Sequence, residues 1–171
     1  MSFNAFLKID GIPGDSQNEK HKDWIEIIEF KTGIKQPTAA SKGTAGGAPA
    51  GRANFDDFKI VKAIDKSTPL ISVACANGTA IKEIKIELCR AGGDELKYME
   101  YILTNSVISS QIASGPNNIN NPNEEKEILP TEEVTFNFGK INWSYTKQNR
   151  ESGAAEGNVA GGWDLEKNRK L

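Results

Sequence analysis

A chain of 171 residues is long enough to bury a sizeable core and short enough to do so in one domain. A formal charge of −2 excludes a protein whose partner is held by bulk positive charge, such as nucleic acid or an anionic membrane surface. Sixteen glycines and seven prolines imply many turns, as an all-β chain needs, and no stretch is apolar for long enough to span a membrane.

In chain order, the start Met1-Ser2-Phe3-Asn4-Ala5-Phe6 lacks a basic segment followed by an apolar run, so the chain is expected to be made in the cytoplasm without a cleaved signal peptide. Phe3, Ala5, Leu7 and Ile9 alternate at the period of a strand, and residues 10–16 carry turn chemistry. A second strand is expected from Trp24 to Lys35, apolar on both faces. Residues 37–52 are mostly Thr, Ala, Ser and Gly with no large apolar side chain, and cannot bury enough surface to fold alone. Residues 55–62 resume a strand. The spacing then predicts a helix over Ser67–Gly78: Ser67 or Thr68 caps it, Pro69 suits its first turn, and Gly78 ends it in a left-handed conformation. Its small and apolar side chains predict a buried helix rather than an amphipathic one.

Ile84, Ile86 and Leu88 alternate with polar neighbours, residues 91–94 turn the chain, and residues 95–104 return as a hairpin partner. A short strand over 107–112 precedes an Asn-rich loop. The last long strand, 132–147, changes phase: Val134, Phe136 and Phe138 share one face, while Ile141, Trp143 and Tyr145 share the other. A bend at Gly139-Lys140 would do this. Residues 148–161 are expected to be loose. Bent strands with two apolar faces suggest a closed barrel covered on the outside.

The sequence offers little for catalysis. His21 is the sole histidine, lies between two lysines, and is expected to be an exposed turn or strand-entry residue; no Gly-x-Ser-x-Gly elbow is present. One histidine and two distant thiols, Cys75 and Cys89, lack metal-ligand spacing, and the thiols are expected to be buried and reduced. The glycine run ending in Gly51-Arg52-Ala53 has the frame of a phosphate loop, but Arg52 stands where Lys is required and strand follows instead of helix. The acidic neighbours Glu132 and Glu133 fall in a strand and point to opposite faces. No cofactor, metal or catalytic residue is assigned.

The order of short motifs is more informative. Phe6-Leu7-Lys8-Ile9-Asp10-Gly11-Ile12-Pro13-Gly14-Asp15-Ser16 is followed by His21 and Ile25. Phe55-Asp56-Asp57-Phe58, Asp65-Lys66-Ser67-Thr68-Pro69 and Ala74-Cys75-Ala76-Asn77-Gly78 come next. Arg90-Ala91-Gly92-Gly93, Pro130-Thr131-Glu132-Glu133-Val134 and Gly162-Trp163-Asp164 complete the set. Together they resemble the haemolysin-coregulated protein (Hcp) family, the tube protein of bacterial type VI secretion. The resemblance covers residues 3–164, and no added toxin domain is expected in residues 165–171.

The resemblance implies a mainly β fold: a two-sheet β-barrel with one flanking helix, about Ser67–Gly78, and a long extended loop, about Pro37–Arg52. Six such subunits would form a ring, and rings would stack into a tube exported from the cell. The implied partners are further copies of the chain, the spike, the contractile sheath and baseplate, and effector proteins in the lumen. The extended loop becomes an arm to the next subunit, with Thr38, Ser41, Gly46, Gly47 and Arg52 at the interface, while Glu29 and Lys31 on the second strand face the lumen. The rival readings are a tube protein of a phage-like particle and a monomeric small-ligand-binding barrel or hydrolase built around His21.

Overall fold

The computed structural model describes residues 3–37, 51–92, 95–115, 129–149 and 155–171. Strand β1 (Phe3–Ile9) lies between β2 (Ile25–Ile27) and β7 (Ile81–Arg90), antiparallel to both. Strand β7 pairs onward with β8 (Lys97–Ser114), and β8 with β9 (Thr131–Gln148). The far edge of β9 is shared: β6 (Phe58–Ala63) takes its first residues and β10 (Ala155–Asp164) its last. Strand β3 (Glu29–Lys31) pairs with β6, β4 (Ile34–Lys35) with β5 (Asn54–Phe55), and β11 (Arg169–Lys170) closes on β10. The mainly β architecture expected from the sequence is thus present.

Between these strands lies a core in which Leu7, Ile25, Phe58, Ile60, Ile84, Ile86, Leu103, Phe136 and Ile141 are at most 1% exposed. Tyr101 meets Phe58 edge-on with ring centroids 5.3 Å apart, and Phe30 stacks on Phe58 at 6.0 Å. Helix α1 (Thr68–Asn77) packs against β8. It ends where expected, on Gly78 in the left-handed conformation (φ 65°), whose N–H reaches the carbonyls of Ala74 and Cys75.

Several sequence readings need correction. The helix is not buried all round. Ile71 and Ala74 face the core, but Leu70 is 44% and Val73 61% exposed, because a single helix on a sheet can bury only one stripe. Nor does a hydroxyl cap it: Ser67 makes no cap bond, and the Thr68 hydroxyl donates instead to Glu132 at 2.7 Å. The single strand over 24–35 is broken at Ile28, which is 60% exposed. Ile25 and Ile27 point inward before this break and Phe30 after it, so what looked like two apolar faces is one face that changes phase. The same break interrupts the barrel. Pairing runs from β9 through β8, β7 and β1 to β2, and returns through β3 and β6, so the expected closed barrel is not continuously closed.

Strand β8 is one element where two were expected. Asn105, in a positive-φ conformation (53°), carries the chain through the supposed gap. Directly across, between Phe138 and Ile141, β9 changes phase at Gly139 as its sequence suggested, and the pairing keeps step through the corner. A side chain at Gly139 would lie 2.8 Å from the tip of the exposed Glu166 side chain and 3.4 Å from Asn105 Cβ. Within the segment expected to be loose, residues 155–161 form β10; Gly157 (φ 85°) sits where its register shifts.

Candidate functional site

Three polar constellations stand out among the described residues, two buried and one exposed. The first joins α1 to the sheet. Lys62 on β6 is fully buried; its Nζ lies 2.5 Å from Glu132 Oε1 and 2.8 Å from Asp65 Oδ1, and donates to the Ala63 carbonyl at 2.9 Å. Gln111 on β8 donates to the second Glu132 oxygen at 2.5 Å, and the Ser72 hydroxyl donates to Gln111 at 2.7 Å. Burial would push the Glu132 carboxyl up. The bonds from Lys62, Gln111 and Thr68 and the lysine charge outweigh it and hold the group below the usual range. Asp65 is lowered by the same balance, burial against Lys62 and Ser67.

The second constellation centres on His21, and here the expectation of an exposed residue is overturned: it is 3% exposed. Its ring stacks on Phe6 at 4.1 Å and meets Trp24 edge-on at 4.8 Å. Nε2 lies 2.8 Å from Glu87 Oε2 and Nδ1 3.2 Å from Asn18 Oδ1. Asn18 and Asn4 both donate to Glu95, which pins the loop before β2 to the chain entering β8; the Asn18 bond is the main cause that lowers the Glu95 carboxyl. Burial opposes ionisation of Glu87, but His21 and Lys97 prevail and lower it too. Next to Glu87 in the sequence pattern, buried Cys89 has its thiol pushed up to about 11, first by burial and then by the Glu87 charge. An open cleft of about 340 Å³ adjoins this cluster, lined by Asn4, Phe6, Gln17, Asn18, Glu26 and Glu95. Both ring nitrogens of His21 are engaged within the fold and neither addresses a hydroxyl or thiol, so the group positions a loop rather than activating a nucleophile.

The third is the outward face of β3, β6 and β9. Glu29 and Lys31 are exposed side by side on it, opposite the buried side of Phe30. Beyond them stand Lys59, which bridges Glu133 at 2.9 Å, and Asp57, which accepts from Ser109 at 2.8 Å and Asn137 at 2.9 Å. Glu132 and Glu133 do point to opposite faces, one into the first constellation and one onto this surface.

Of the expected interface residues, Thr38, Ser41, Gly46 and Gly47 lie outside the described residues. Arg52 is exposed, and its guanidinium donates to the Leu165 carbonyl beside a cleft walled by Phe55, Trp163 and Asn168. Sequence reasoning missed both buried clusters; the one available signal was a lysine at an inward position of β6, between Ile60 and the helix. Among the described residues no group of three His, Cys, Asp or Glu side chains is placed to hold a metal ion, and no helix is long and apolar enough to cross a membrane.

Comparison with known proteins agrees with this architecture. The family described as "Type VI secretion system effector, Hcp" matches residues 6–145. Protein hcp1 of Pseudomonas aeruginosa is 30% identical over 169 residues, covering 98% of both chains. A solved structure described as a type six secretion system protein superposes with a TM-score of 0.88 at 27% identity, over 99% of this chain and 100% of the other. Hcp1 from Salmonella typhimurium gives 0.76 at 26% identity, with 100% of each chain covered. The chain therefore belongs to the Hcp family, the tube proteins of type VI secretion.

Proposed function

We propose that this chain is the ring-forming subunit of a type VI inner tube, and that it acts by assembly and transport rather than by chemistry. The observation that carries the reading is the family match along almost the whole chain, together with a sole histidine whose two ring nitrogens are spent inside the fold. Six subunits joined by one repeated head-to-tail contact close a ring, and the same logic along the axis stacks rings into a tube. The segment carrying Thr38, Ser41, Gly46, Gly47 and Arg52 supplies the arm to the next subunit. The face bearing Glu29 and Lys31 lines the lumen, where effectors are carried and the spike rides at the tip within sheath and baseplate. The tube leaves the cell through that machine.

Size-exclusion chromatography with light scattering, followed by negative-stain microscopy, tests the assembly. The expected result is a species six times the 18.6 kDa subunit, seen as open rings. A monomer that persists at high concentration would overturn the ring and with it the lumen.

A further inference from the structure

The register of the β3–β6–β9 ladder orders the charges on its outward face. Glu29 stands opposite Val61 and Val61 opposite Glu133, which makes an acidic row across three strands. Two residues along, Lys31 stands opposite Lys59 and Lys59 opposite Thr135, which makes a basic row. Beyond Lys59, Asp57, held by Asn137 and Ser109, places one further carboxylate on the face. Successive outward residues lie roughly 7 Å apart along a strand, within one screening length at physiological salt. Lys59 is neutralised in part by Glu133, whereas Glu29 and Lys31 form no ion pair among the described residues and reach into solvent.

From this banding we infer that the face binds protein surfaces carrying carboxylate and ammonium groups side by side, and rejects ligands of one charge sign. A polyanion laid along the strands gains one lysine row and meets carboxylates on either side of it; a polycation gains those carboxylates and meets the lysine row between them. The fields of neighbouring bands cancel within roughly one band spacing, so the face acts only on what touches it. The inference rests on the tube reading for the location of the face in the lumen, and on the strand register alone for the bands.

Three peptides serve as probes at low ionic strength: a Glu-Ser-Lys-Ser repeat, an all-glutamate counterpart and an all-lysine counterpart. Wild-type protein is expected to hold the mixed repeat roughly five- to tenfold more tightly than either single-sign peptide, the yield of one or two exposed ion pairs. In Lys31→Glu the β3 end of the basic row turns acidic, so the lysine peptide gains by a similar factor and the mixed repeat loses its advantage; Glu29→Lys should favour the glutamate peptide. Equal affinities for all three probes, or affinities unchanged in Lys31→Glu, would overturn the inference. Light scattering on each sample separates the two levels. Rings without probe preference remove the bands and leave the tube reading, while a monomer that shows the preference removes the tube reading and leaves the bands.

Discussion

The two buried polar clusters solve one problem in different ways. Each ties a segment outside the sheet to it: α1 through Lys62 and Glu132, the loop before β2 through His21 and Glu87. The first is an ion pair with both side chains fully buried, in which the Glu132 charge depends on Lys62 while Lys62 also meets Asp65. The second rests on an aromatic stack, and its carboxylate has a second cation, Lys97, at 3.4 Å. A buried carboxylate with one cation is costly to strip of it, whereas a carboxylate shared by two tolerates the loss of one neighbour.

The comparison can be broken from either side. Lys62→Ala strands Glu132 in the core and should cost about 3–5 kcal/mol in urea unfolding. Lys62→Met combined with Glu132→Leu should recover part of that loss, since it removes both charges of the pair and leaves Asp65 to its bonds with Ser67. His21→Ala loses a ring stack and two hydrogen bonds but leaves Glu87 with Lys97, and should cost about 2 kcal/mol. Equal losses in the two single variants would erase the distinction.

Acid sharpens it. The folded Glu132, Asp65 and Glu87 carboxyls lie below their ordinary values, 4.5 for the glutamates and 3.8 for Asp65. The unfolded chain therefore binds more protons, so the stability these groups confer is present above pH 4.5 and is lost as pH falls through their folded values. The urea midpoint should fall below about pH 4.5, less steeply in the Lys62→Met, Glu132→Leu double variant than in wild type. The smallest effect belongs to α1's outer face: Val73→Ser should change subunit stability by under about 0.5 kcal/mol, as a thermal melt would show.

The fold was legible where a single residue carries the signal. Gly78 marked the helix end, and Gly139 the point where β9 turns its face. It was illegible where partners are far apart in sequence. Glu132 lies 70 residues from Lys62, and Glu87 lies 66 from His21, so neither pair leaves a local pattern. Strand β10, rich in Gly and largely exposed, has no apolar alternation to announce it; pairing with β9, and at its end with β11, makes it a strand. Glu29 and Lys31 were legible as polar positions on β3, but their place in charged rows required the register with β6.

Strand β9 is held on both edges along most of its eighteen residues, by β8 from Thr131 to Tyr145 and by β6 and then β10 on the other side. The hydrogen bonds of antiparallel strands lie across the strand direction. A pull along β9 would load many of them together in shear, whereas the two-residue β11 at the sheet edge would peel bond by bond. The long hairpin is thus the mechanical spar of the subunit, and a thrust applied to the chain would be borne there before it reached the edge strands.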